Sequence, residues 1–190
     1  MASGGADKLV RLWDPETCQG IAKLGGFNEA VRCLSFSPDG KTLVAGDWEG
    51  FLCFWDPVTG KEIRRLRAGE LVIHGVAFSP DGKSLVSGGA DQNVSVWDLS
   101  TGKIARKFYG HWGDVQAVAV TPDGRIVLSV SDDHSVRAWD AATGRELPSF
   151  IGHEDKVVSL SVSADGRRAV TGSRDATALI WDMTKIESRK

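Results

Sequence analysis

The segment from Ile73 to Tyr109 alternates apolar and polar residues in short runs divided by turn-forming clusters. Val76 and Phe78 belong to a first run that ends at Ser79-Pro80-Asp81-Gly82, where Pro and Gly stand where a type I or II turn favours them. Ser84-Leu85-Val86-Ser87-Gly88 is a second run, and a turn around Ala90-Asp91-Gln92 separates it from Val94-Ser95-Val96-Trp97. This third run has the period of two expected of a strand with one buried face. Leu99-Ser100-Thr101-Gly102 makes the next turn, and Ile104 with Phe108 marks a fourth run. The pattern predicts four short antiparallel strands, here a, b, c and d in chain order, and no helix. One sheet of that size cannot bury both faces, so several must stack.

The same pattern recurs along the chain. Trp-Asp occurs at Trp13, Trp55, Trp97, Trp139 and Trp181, always 42 residues apart. Asp-Gly keeps the same step at Asp39, Asp81, Asp123 and Asp165, preceded by Pro38, Pro80 and Pro122 in the first three. An acidic residue six places before each Trp gives Asp7, Glu49, Asp91, Asp133 and Asp175. A fixed period of this length marks one supersecondary unit copied and stacked. On these residues the chain resembles the WD-repeat family of β-propellers, whose blades are four-stranded and carry a Gly-His and a Trp-Asp signature. The resemblance implies an all-β fold built of such blades.

Shifting the register by one period places Met1 opposite Leu43, Leu85, Val127 and Ala169, inside strand b. The expected organisation is a partial blade at 1–26 with strands b, c and d, and blades at 27–68, 69–110 and 111–152. A last partial blade at 153–190 has strands a, b and c and a short polar tail. The Thr-Gly turn at Thr59, Thr101 and Thr143 is absent after Trp181-Asp182, and Arg189 stands where Leu147 would, so no fourth strand is expected there. Eighteen strands make about four and a half blades, whereas closed propellers carry about four to eight. Family members usually close by lending an N-terminal strand d to the last blade, and here that strand follows its own b and c. The expectation is an incomplete propeller: a piece of a longer one, or part of an oligomeric ring formed with a second copy. Either arrangement would cover apolar faces and strand edges that otherwise invite association.

Composition narrows the function. Hydrophobic content of 42% and charged content of 25% are ordinary for a globular domain. A net charge of −2 gives no reason to expect nucleic acid or an anionic membrane as a partner. No stretch has the length of a signal peptide core or a membrane span. Cys18, Cys33 and Cys53 lack metal-ligand spacing and read as reduced packing residues of a cytoplasmic protein. Asn93-Val94-Ser95 matches a glycosylation sequon, a chance match without a secretion signal. No phosphate-binding Gly loop, metal cluster or nucleophile motif is present. The expectation is therefore no cofactor, no metal, no catalytic residue and no enzyme.

His111, Ser129, Asp133 and Trp139 recur at the same spacings as His153, Thr171, Asp175 and Trp181. Taken alone, His, Ser and Asp suggest a hydrolase triad, but an enzyme needs one site and not one copy per blade. The resemblance implies a buried network instead. Asp accepts from His and from the turn, His bonds the hydroxyl, and the hydroxyl reaches the indole N–H, so each polar group has a partner. Ser87, Asp91 and Trp97 are the corresponding residues of the preceding unit. The Gly-His position reads Gly26-Phe27 and Ala68-Gly69 in earlier units, and Ala45 and Glu49 replace the hydroxyl and the Asp. Those blades are expected to rest on apolar packing and to be locally less stable.

Two tryptophans lie outside the Trp-Asp pairs, Trp48 in a b–c turn and Trp112 in a d–a loop. The resemblance makes that end of the blades a frequent interaction surface, and exposed aromatic residues are favoured anchors; alternatively both tryptophans merely cap their blades. Asp132 and Arg174 in b–c turns, and Arg32, His74 and Gln116 near the start of strand a, belong to the same end. Their charges are mixed in sign, so no partner class stands out. The leading expectation is a noncatalytic protein–protein interaction scaffold for proteins or peptides. The alternatives are a fragment without independent activity, or an enzyme or small-ligand propeller with a site in the channel. The channel site needs converging polar residues, and the inward candidates Arg32, His74, Gln116 and Val158 are dissimilar.

Overall fold

The alternating runs become strands, with one exception in the fourth sheet, in the computed structural model, which describes residues 1–186. Seventeen strands form five separate antiparallel sheets among these residues. The first sheet holds β1 (Ala2–Gly4), β2 (Val10–Trp13) and β3 (Gly20–Leu24). The second holds β4 (Val31–Phe36), β5 (Leu43–Asp47), β6 (Phe51–Trp55) and β7 (Glu62–Arg67). The third holds β8 (Ile73–Phe78), β9 (Ser84–Gly89), β10 (Val94–Asp98) and β11 (Lys103–Phe108). The fourth holds β12 (Val115–Val120), β13 (Ile126–Ser131) and β14 (Val136–Asp140), and the fifth β15 (Val157–Val162), β16 (Arg168–Ser173) and β17 (Ala178–Asp182).

The fourth sheet departs from the expectation of four strands per complete blade. Its outer strand is reduced to two bridges, Trp139 with Glu146 and Val136 with Phe150. The Leu147 and Phe150 N–H groups still donate to Ala138 O and Val136 O, at 2.8 and 3.1 Å. Pro148 lies between them and has no N–H to give, so a continuous ladder cannot form. After β17 the chain turns into a 3-10 helix at Met183–Lys185, capped by the Asp182 carboxylate accepting from the Thr184 N–H. The expectation attached to Arg189 lies outside the described residues.

Burial lies between the sheets. Val10, Leu12 and Leu24 of the first pack with Phe27, Val31, Leu43, Ala45, Cys53 and Trp55 of the second. Val44, Leu52 and Phe54 meet Ile73, Val76, Leu85 and Trp97, and Val86, Val94, Val96 and Phe108 meet Val115, Val127 and Trp139. Each fully buried side chain of this size contributes about 1.5–3 kcal/mol before entropy is counted. Successive sheets also touch along their first strands, β4 with β8, β8 with β12 and β12 with β15. Gly75 sets the closest approach: a Cβ there would lie 2.9 Å from Ala117 Cα and 3.0 Å from Val118 N. The basic run on β7 pins neighbours as well, since Arg64 Nη1 donates to Leu99 O and Arg65 Nη2 to Gly26 O, both at 2.9 Å. The five sheets follow one another in an open arc. Val158, Val170 and Ile180 on the outer face of the fifth are exposed to solvent.

Candidate partner-binding face

The antiparallel order places the b–c turns and d–a loops at one end of every sheet, where they bond to each other. Trp48 N–H donates to Ala30 O, Ala90 to Val72 O, Asp132 to Asp114 O and Arg174 to Lys156 O, at 2.9–3.0 Å. Beneath this end of the fourth sheet, His111 Nδ1 lies 2.8 Å from Asp133 Oδ2 and Nε2 lies 2.8 Å from Ser129 Oγ. Trp139 Nε1 donates to the same hydroxyl at 2.8 Å. A neutral ring protonated at Nδ1 satisfies every group: Asp133 accepts, Ser129 donates to Nε2 and accepts from the indole. His153, Asp175, Thr171 and Trp181 repeat all three distances in the fifth sheet.

The third sheet keeps half of this arrangement. Trp97 Nε1 donates to Ser87 Oγ at 2.9 Å, but Asp91 is not connected to them as the spacing suggests. With Gly69 at the histidine position there is no ring to bridge the two. Asp91 turns outward, accepting from Asn93 N and facing Lys107 Nζ at 3.4 Å. A cavity of about 30 Å³ remains, lined by Gly69, Ser87, Asp91 and Ser95 among others. In the second sheet Phe27 fills the histidine position and packs on Trp55 with ring centroids 5.1 Å apart. Glu49 accepts from Asn28 Nδ2 at 3.2 Å instead. Sequence reading missed the carboxylate that is buried there. Asp47 is 1% exposed, and its Oδ1 accepts from the N–H groups of Glu49 and Phe51. Burial raises its pKa, an effect the two backbone donors oppose.

Above these buried groups the strand-a residues share one backbone feature. The ladder shifts register between Val31 and Cys33, Ile73 and Gly75, Val115 and Ala117, and Val157 and Ser159. Arg32, His74, Gln116 and Val158 are thus each the extra residue of a β-bulge, a device that re-aims a side chain out of the regular alternation. Arg32 is exposed and its guanidinium lies over the Trp48 ring at 5.5 Å. Trp48 is 53% and Trp112 71% exposed. Gln116 and Asp132 are half-buried, and Arg174 is exposed. His74 is almost covered, its Nε2 3.4 Å from Asp114 Oδ2.

The profile of the WD40 family (WD domain, G-beta repeat) matches four stretches, residues 18–56, 60–98, 102–140 and 144–182. The chain belongs to the WD40-repeat family. Among its relatives are two fungal nuclear distribution proteins named PAC1. That of Coprinopsis cinerea is 51% identical over 41 residues, covering 22% of this chain and 9% of the relative. That of Mycosarcoma maydis is 42% identical over 45 residues, covering 24% and 10%. The chain thus spans only about a tenth of these relatives, a stretch about one repeat long, which speaks for a shared repeat and not for a shared task.

In this WD40 arc the described residues include no group of three His, Cys, Asp or Glu placed to hold a metal ion. No helix among them is long and apolar enough to cross a membrane. The bulges left no mark in the sequence, because a bulge changes pairing and not residue type. The equal spacing of Arg32, His74, Gln116 and Val158 is visible in the sequence, and only the ladder shows that each is the extra residue of a bulge.

Proposed function

We propose that this WD40 arc is a noncatalytic scaffold that binds proteins or peptides through the end carrying the b–c turns and d–a loops. The observation that carries the reading is the exposure of Trp48 and Trp112 on that end, beside the bulged residues Arg32, His74 and Gln116. Both indoles leave large apolar surfaces in water on a backbone held by hydrogen bonds, which is how an interface anchor is presented before its partner arrives. Asp132 and Arg174 lie on turns of the same end. The His111–Ser129–Asp133 and His153–Thr171–Asp175 sets support the noncatalytic part of the reading: the arrangement is duplicated and consumed by bonds to indole and turn. A reducing compartment such as the cytoplasm suits the three free thiols.

The test is a pull-down from extract with the wild-type chain and with Trp48→Ala, Trp112→Ala and the double variant. The expected result is loss of partners with an unchanged melting temperature, since neither ring is buried. Retention of every partner by the double variant overturns the proposal. A second reading, association between copies, is favoured by the exposed Val170 and Ile180, at 41% and 71%. Light scattering at several concentrations tests it: a constant monomer mass excludes it.

A further inference from the structure

The formal charge of the chain is nearly balanced, yet the fold distributes it unevenly. The nine connections at the proposed docking end are residues 5–9, 25–30, 48–50, 68–72, 90–93, 109–114, 132–135, 151–156 and 174–177. They hold eleven carboxylates and three cationic side chains (Lys8, Lys156 and Arg174), a net charge of −8, whereas the whole chain carries −2. The remainder of the molecule is therefore at +6, by subtraction. Of the eleven carboxylates only Asp133 is fully buried; the others reach the surface. Arg32 adds one cation on its bulge, where it is engaged over Trp48.

Within this acidic end one spot has polar groups without partners. The His74 side chain is 9% exposed, and neither ring nitrogen makes a hydrogen bond among the described residues. Its Nε2 faces Asp114 Oδ2 at 3.4 Å, too long for a good bond. Burial lowers the His74 pKa more than Asp114 raises it, which favours the neutral ring and weakens its pairing with Asp114. Asp132 sits beside Asp114, its N–H donating to Asp114 O at 2.9 Å. Lys156 Nζ holds Asp132 Oδ2, while Oδ1 is buried with no partner among the described residues. Asp114 is 38% exposed, so a donor arriving from solvent can reach it.

We infer that this end takes a basic segment of a partner protein, with a Lys or Arg side chain seated on Asp114 beside Asp132 and His74. The inference rests on the reading of this end as a docking surface and adds the chemical class of the occupant. A cationic side chain supplies the N–H donors that Asp114 lacks, and it is drawn in by the field of Asp132 and the surrounding carboxylates. His74 lies on β8, and Asp114 directly precedes β12 and is tied by its carbonyl to the Asp132 N–H, so the seat is held against the sheets. Nucleic acid is disfavoured by the same charge.

The experiment is a fluorescence-anisotropy titration of the full chain with labelled hexapeptides that alternate Arg with Gly, Lys with Gly, or Glu with Gly. Either basic peptide is expected to bind, the acidic one not, and affinity should fall as salt rises. Asp114→Asn and Asp132→Asn should each weaken binding at least fivefold, while Glu16→Gln, at the opposite end, should leave it unchanged. If Asp132→Asn melts early, Asp114→Asn decides, because that carboxylate is partly exposed and its contact to His74 is long. No binding of either basic peptide, or equal binding by the Asp variants, overturns the inference. If the tryptophan variants still lose their natural partners in that case, the docking face stands and only its basic occupant falls. If natural partners persist in the tryptophan variants while the basic peptides bind through Asp114, the anchor stands and the tryptophans are dispensable.

Discussion

His111 Nδ1 and Asp133 Oδ2 lie 2.8 Å apart with their side chains 1% and 0% exposed. Asp133 also accepts from the Trp112 and Ser135 N–H groups, so one carboxylate ties the d–a loop to the b–c turn. Asp133→Ala strands these buried donors, and the expected cost is about 1–3 kcal/mol in urea unfolding. A change within error would mean that the bonds contribute nothing net.

The same pair sets a pH dependence. Burial pushes the Asp133 pKa up, but the bonds from His111 and Ser135 outweigh it and hold the carboxyl well below its ordinary value. A folded pKa below the unfolded one contributes stability that is complete above the unfolded value, near about 3.9, and is lost as pH falls. The stability gap between wild type and Asp133→Ala should therefore narrow on acidification from about pH 5 to about pH 2. A gap independent of pH in that window would contradict the coupling.

Gly69 stands where the sister sheets have His111 and His153, and the cavity above Ser87 is the space such a ring would enter. A Cβ at Gly69 meets only Leu71 N, at 3.9 Å, so a side chain is tolerated there. Gly69→His should rebuild the bridge between Ser87 and Asp91 and raise stability by about 1 kcal/mol. Hydrogen exchange across residues 68–95 should slow in parallel. Destabilisation would show that Asp91 does not leave Lys107.

Gly75 permits the approach of β8 to β12, and its neighbours there are backbone atoms that cannot move aside cheaply. Gly75→Ala should cost about 1–3 kcal/mol by overpacking, with m-value unchanged. Alanine at Gly5, where the nearest contact is an Asp7 side-chain oxygen at 3.6 Å, is the matched control.

Burial pushes the Cys33 and Cys53 thiols up to about 12, whereas Cys18 is exposed on a turn. Iodoacetamide at about pH 8 should label Cys18 in the native protein and the other two only after unfolding, because the thiolate is the reactive form. Mass spectrometry of the native adduct checks this. Rapid native labelling of Cys33 would mean that the second sheet opens.

The legible and the illegible divide by range of interaction. The 42-residue step of Trp13, Trp55, Trp97, Trp139 and Trp181 was enough to name the family and the sheets, since each strand and turn is coded by its own few residues. The spacing of His111, Ser129 and Asp133 also pointed to one meeting place, and the three do meet. The same spacing misled at Asp91, where the missing ring let a carboxylate swing toward Lys107. It misled again at residues 146–150, where one proline broke a ladder that the repeat otherwise favours.

The strand pattern, the repeat and the family are written in the residues themselves, because alternation and turn chemistry act over a few residues and survive copying. Which side chains share a surface was decided only by the tertiary structure. The bulges that re-aim Arg32, His74 and Gln116 arise from pairing between strands. The acidic end arises because alternate connections, 42 residues and less apart, are folded to one side. Charge along the chain sums to −2; charge in space is a matter of where the chain turns.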